Sequence, residues 1–295
     1  MDRELFLQLL RGIIPGAFIG CAFILELFWK SRPTQLDQPS PRQIFAPVFI
    51  ALALVGSFAF AFPLRTPSGL FDWLGWMPIP LALIGIAITL APWRIGAIFI
   101  ALFGLAAALL FAPRAEWTGV DLKSFTLAIF ASSGAAALVH PVWERRPLLL
   151  FAVATIAAGG MSQVLILGFH ALKLGQVAGI GASMLGGMAV AALLMVRLRK
   201  SIAISSHVIA PLAIMALLFA ASALAQGPIV TETRLDWVLV LLLASIPAAA
   251  TGAIMLLQRK STVVVWISTL IAAGGPVALA MLIVLMTREP DTSGY

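Results

Sequence analysis

The sequence contains no asparagine, and only one cysteine and one tyrosine. Without asparagine there is no acceptor for N-glycosylation. Cys21 alone makes neither an intrachain disulfide nor a cysteine-based zinc site. Charge is scarce as well. Asp, Glu, Lys and Arg make up 11% of the chain, against roughly 25% in an ordinary soluble domain. Long polar stretches are also missing. The longest runs from Lys30 to Arg42. It leaves no room for a soluble catalytic module such as an ATPase, a kinase domain or a Rossmann unit.

What fills the 295 residues is apolar. Hydrophobic residues make up 61%, and the mean hydropathy is +1.06. A water-soluble fold of this composition would expose large apolar patches and aggregate. The composition therefore implies an integral membrane protein. A span needs about 20 apolar residues to cross a hydrocarbon core of about 30 Å. Ten segments meet this: 12–29, 43–64, 74–92, 95–112, 124–142, 147–169, 175–196, 202–225, 237–257 and 262–286. Lipid offers no partner for free backbone groups, so these segments are predicted to be helices. They are too long, and alternate too little, for barrel strands. The expected fold is an all-α polytopic bundle: one membrane domain over 1–295, with ten spans in five hairpins.

The N-terminal stretch lacks a basic region and a small-residue cleavage site, so the first span is expected to be retained. The turns after spans one, three, five, seven and nine carry Lys30, Arg32, Arg42, Arg94, Arg145, Arg146, Arg197, Arg199, Lys200, Arg259 and Lys260. The other side carries Arg3, Arg11, Arg65, Arg114, Lys123, Lys173, Arg234 and Arg288, three of them in the tails. By the positive-inside rule the first set is cytoplasmic, which puts both termini outside. Asp72, Glu116, Asp121, Glu232 and Asp236 fall in outer loops and agree. Trp29, Trp93 and Trp143 mark inner edges, and Trp73, Trp76, Trp117 and Trp237 mark outer ones. The net charge of +7 is thus read as membrane orientation, not as nucleic-acid binding. A faint internal echo relates 121–160 to 236–275. Each runs from an outer acid through a basic turn to Ala-Ala-Gly-Gly.

Few residues suggest chemistry. Glu26 is the acid placed well within a span, where an ionisable group is a candidate proton or cation site; the plainer reading is an i,i+4 pair with Lys30 at the interface, which would satisfy it. His140 and His207 both lie toward the inner side and are the candidates for a bis-histidine haem. A polar tip at the membrane surface is the plainer role for each. Span seven repeats small residues at every fourth position: Gly175, Gly179, Ser183, Gly187 and Ala191. Such a stripe admits another helix closely, within the bundle, from a second copy or from a partner membrane protein. A candidate polar path comprises Glu26 together with Thr155, Ser162 and Gln163 of span six, Ser245 and Thr251 of span nine, and Ser268 and Thr269 of span ten. Gly159-Gly160, Pro247 and Gly274-Gly275-Pro276 interrupt the same spans, and transporters use such breaks to build sites near the midplane. Kinks resolved by nearby Ser and Thr hydroxyls explain the breaks as well. No zincin motif, nucleophile elbow or paired intramembrane acids occur, and Ser205-Ser206-His207 lacks triad geometry. The sequence implies no catalytic residues, no metal and no cofactor.

The order Asp72-Trp73-Leu74-Gly75-Trp76, then Ala158-Gly159-Gly160-Met161-Ser162-Gln163, then Gln176-Val177-Ala178-Gly179 resembles uncharacterised multi-span proteins of bacterial genomes. The resemblance implies a bacterial inner-membrane setting and assigns no activity. Two functions remain open: a transporter-like protein for a small or amphipathic solute, and a non-catalytic membrane subunit packed into a larger complex. Membrane lipids are expected partners of either.

Overall fold

The computed structural model describes residues 13–22, 24–25, 48, 51–52, 55, 59, 76, 78–111, 129, 132–143, 146–168, 172–198 and 236–287. Every described element is helical. The helices are α1 (Ile13–Ala22), α2 (Pro78–Leu90), α3 (Trp93–Phe111), α4 (132–137), a 3₁₀ turn (Pro141–Trp143), α5 (Pro147–Leu167), α6 (Leu172–Arg197), α7 (Asp236–Leu257) and α8 (Thr262–Thr287). Of the expected spans, 202–225 lies outside the described residues. So do most of 43–64 and parts of 12–29 and 124–142.

Three helices are long and apolar enough to cross a membrane: Pro147–Leu167, Gly175–Arg197 and Thr262–Thr287. The expected count of ten is not reached among the described residues. Ile13–Ala22, Pro78–Ala87, Trp93–Ala106 and Leu241–Leu257 are shorter apolar helices. At 13 residues, α2 covers roughly 20 Å at 1.5 Å per residue, short of a full hydrocarbon core.

Local chemistry sets the boundaries. Proline has no N–H and its ring clashes with a preceding helical turn. Pro92 therefore separates α2 from α3, and its carbonyl accepts the Gly96 N–H at 3.0 Å. Pro141 has the same effect on the segment expected at 124–142. Its helix stops at 137, the chain turns through 138–140, and a 3₁₀ turn follows. Pro147 opens α5 at the position where a missing N–H costs nothing. Ser261 caps α8, its hydroxyl accepting the Val264 N–H at 3.4 Å.

Helix α5 is the hub and touches α6, α7, α8 and the 3₁₀ turn. It runs antiparallel to α6, since Gly175 lies by Ser162 and Ile166 while Gly186 lies by Thr155. It runs parallel to α8, since Gly160 meets Val277 and Gly168 meets Val284. Helix α1 runs parallel to α6: Gly16 meets Ile180 and Ser183, and Gly20 meets Met184. These directions bring Arg94, Arg146, Arg197, Arg259 and Lys260 to one end of the bundle. Asp236 stands at the other. The apolar core fills the middle and includes Phe151, Leu165, Met184, Met188, Ile246 and Ile254.

Candidate functional site

The expected polar path does not assemble as a lined channel among the described residues. Most of its hydroxyls are turned onto their own helices. Thr155 donates to the Phe151 carbonyl at 2.8 Å, Ser245 to Leu242 at 2.7 Å and Thr269 to Val265 at 2.7 Å. This is how a hydroxyl is satisfied where no water is available. Ser268 is half-buried on α8. Ser162 instead reaches across to α6 and donates to the Gly175 carbonyl at 2.7 Å, fully buried. Gln163, one position further on, is exposed on the outer side of α5. Glu26 and His207 lie outside the described residues.

The small-residue stripe of span seven is occupied by helices of this same chain. A Cβ on Gly175 would collide with Ile166, and one on Gly179 would stand 3.1 Å from the Ser162 hydroxyl. Further along α6, Gly187 abuts the Ala17 carbonyl of α1, and Gly20 abuts the Met184 carbonyl. A Cβ on Gly16 would sit 2.5 Å from the Ser183 hydroxyl. Ser183 itself donates to Ile180 at 2.8 Å. Cys21 donates its thiol to the Gly187 carbonyl at 3.1 Å. Ala191 is buried. The contact is thus a crossing of two small-residue faces, Gly16-x₃-Gly20 on Ser183-x₃-Gly187, at near backbone distance.

A second constellation sits at the basic end. The 3₁₀ turn carries Trp143 into the core with 0% exposure, and its indole Nε1 donates to the Thr251 hydroxyl at 3.0 Å. The Thr251 hydroxyl in turn donates to the Pro247 carbonyl at 2.7 Å, with the Ala137 carbonyl at 3.3 Å from the same oxygen. Three elements meet there: α4, the 3₁₀ turn and α7. Gly134 of α4 permits the approach, since a Cβ would stand 2.6 Å from the Ala244 carbonyl. Trp143 stands at the basic end, where the sequence puts it, but it faces into the bundle, where its indole N–H finds a hydroxyl partner.

Beside it, His140 accepts the Val142 N–H on Nδ1 at 3.2 Å. Its ring stands edge-on to Trp93 at 5.1 Å, and Arg94 lies over Trp93 at 5.6 Å. With Nδ1 engaged, only Nε2 of His140 is available to a ligand. Among the described residues no group of three or more His, Cys, Asp or Glu side chains gathers to hold a metal ion.

Among the described residues, two buried side-chain polar atoms lack hydrogen-bond partners, Nη1 of Arg146 and Nε2 of Gln176. Gln176 is 6% exposed and lies on the same face of α6 as Ile180, Ser183 and Gly187. The sequence reading did not single out either residue as a site. The Gly16-x₃-Gly20 spacing was the signal available for α1.

Near the middle of α5 and α8 the packing is open. A Cβ on Gly159, Gly274 or Gly275 would meet nothing within 4 Å, whereas one on Gly160 would strike Val277. Gly252 of α7 is open in the same way. No protein-family model, curated protein or solved structure matches this chain.

Proposed function

We propose that the protein is a transporter-like membrane protein for a small or amphipathic solute, built as ten spans in five hairpins in a bacterial inner membrane. One observation carries this reading. Helices α7 and α8 contain Pro247 and Pro276 near their middles; Gly274 and Gly275, with empty space beside them, adjoin Pro276, and the open Gly252 lies more than a turn beyond Pro247. A proline break frees carbonyls and lets a helix bend, and the open glycines leave room for the bend. The nearby polar groups are hydroxyls, not charges, which suits a weakly polar or lipid-like solute better than an ion.

The orientation is part of the proposal. The basic ends of α5, α6, α7 and α8 gather on one side, the side assigned to the cytoplasm, which puts both termini outside. Reporter fusions after Arg146 and Lys260 should report the cytoplasm, and one after Gly168 the opposite face. Fusions that place Arg146 and Lys260 on opposite faces overturn the arrangement. For the activity, the full chain is reconstituted in vesicles and release of small amphipathic dyes is followed. Gly274→Leu, which fills the open side of α8, should slow release while assembly stays unchanged. Equal release by both proteins overturns the transport reading.

The second reading, a non-catalytic membrane subunit, draws on Gln163. A glutamine exposed on a span offers hydrogen bonds to a neighbouring helix. Partners would then dock on the outer side of α5, because the small face of α6 is already covered by α1 and α5.

A further inference from the structure

Helix α7 has a weak point at Pro247. The proline supplies no N–H to the Leu243 carbonyl, and a helix bends most easily at such a place. The segment 134–143 lies across that point and touches α7 on both sides of it. Before the break, a Cβ on Gly134 would stand 2.6 Å from the Ala244 carbonyl; at the break, it would stand 3.7 Å from the Pro247 ring. One turn beyond, the Ala137 carbonyl lies 3.3 Å from the Thr251 hydroxyl oxygen. The Trp143 indole N–H donates to the same oxygen at 3.0 Å. Trp143 and Thr251 are buried, so water does not compete for this bond. The segment is also tied to itself. The Leu138, Val139 and His140 N–H groups donate three residues back, to Ala135, Ala136 and Ala137, at 3.1–3.2 Å. The Trp143 N–H donates to the His140 carbonyl at 3.1 Å, and His140 Nδ1 accepts the Val142 N–H. It therefore bears on α7 as one piece.

We propose that the segment 134–143 is a strap latched across the Pro247 break of α7, with the Trp143–Thr251 hydrogen bond as its catch. The strap fixes the angle at which the second half of α7, 248–257, leaves the break. Thr251 suits the role because its one hydroxyl proton faces two acceptors, the Pro247 carbonyl on its own helix and the Ala137 carbonyl on the strap. Releasing the catch frees the half-helix to take other angles, and the strap sets how often it does so. The proposal rests on the bending of α7 invoked above for transport. The transport reading fails in the dye-release test with the strap intact, and the strap fails below whatever the protein carries.

The test is amide hydrogen exchange of the full chain in mild detergent, read by mass spectrometry of peptides from α7 and α8. Thr251→Val should speed exchange over 248–257 about tenfold, while α8 changes little. Thr251→Ser keeps the hydroxyl and should exchange like wild type. Trp143→Phe removes the catch from the strap side and should speed the same amides; it serves if Thr251→Val does not fold. The deciding background is Pro247→Ala, which restores the N–H and removes the break. There, loss of the catch should speed exchange by less than about twofold. Equal acceleration with and without Pro247 overturns the proposal, because the bond would then only hold local packing. Wild-type exchange in both Thr251→Val and Trp143→Phe overturns it too, as does Thr251→Ser exchanging as fast as Thr251→Val.

Discussion

Gly187 of α6 lies directly against the carbonyl of Ala17 in α1, with no room for even a methyl group between them. The same crossing puts Gly20 against Met184, and the Cys21 thiol closes it by bonding to Gly187. Each helix therefore supplies the glycine that the other's backbone needs. Dispersion contacts and weak hydrogen bonds between close backbones hold such pairs where no hydrophobic driving force separates helix from lipid.

Gly187→Leu should separate α1 from α6 and lower stability by about 1–3 kcal/mol, the usual cost of overpacking. Gly181→Leu, on a side of α6 with open space, should cost much less. Thermal unfolding in detergent compares the two, and equal losses would show that α1 is not seated on Gly187.

Cys21 reports on the same contact. It is half-buried and its thiol is engaged, so a thiol-reactive maleimide should label the native protein slowly. Gly187→Leu should speed labelling several-fold. Unchanged rates in the variant would contradict the crossing. No second cysteine confuses the readout.

Thr251→Val removes the acceptor of the Trp143 indole and leaves a buried N–H unpaired, a loss of about 1–3 kcal/mol. Trp143→Phe removes donor and N–H together and should cost less for that hydrogen bond. The pair of variants, measured by unfolding midpoint, should rank in that order once the smaller ring volume is allowed for by Thr251→Val/Trp143→Phe. A double variant no better than the sum of the singles argues against the bond.

Gly159 and Gly160 are neighbours with opposite surroundings. Gly159→Ala should be neutral or stabilising by up to about 1 kcal/mol, because alanine is the better helix former. Gly160→Ala should destabilise, since its methyl strikes Val277. Val277→Ala should restore most of that loss. If both alanines behave alike, the α5–α8 contact is elsewhere.

The ends of α5, α6, α7 and α8 fall within a few residues of those expected from the sequence, because long apolar runs closed by basic turns leave little freedom. The segment ending at 142 was expected too long. Pro141 ends its helix early, because its ring and missing N–H do not continue the preceding turn. Side-chain direction was less legible. Ser162 and Gln163 are adjacent polar residues, yet a step of about 100° around the helix axis sends one into α6 and the other outward. Nothing local distinguishes them. Trp143 read as an edge residue because His-Pro-Val-Trp has an interfacial composition. Its burial depends on Thr251, 108 residues away. The α6 stripe was legible as a packing face, but its partners were not. Composition says that a helix fits there and is silent on which helix.

The α1–α6 crossing joins segments far apart in the chain, with Cys21 and Gly187 separated by 166 positions. At a synthesis rate of about 5–20 residues per second, α1 emerges roughly 10–30 s before the surface it will occupy exists. During that interval its glycine face is bare to lipid, and any other small-faced helix in the membrane competes for it. The fold is therefore closed late, by an early-made helix waiting for one made much later. A chain truncated before α6 leaves the ribosome with an unclaimed sticky edge, a ready mark for quality-control proteases.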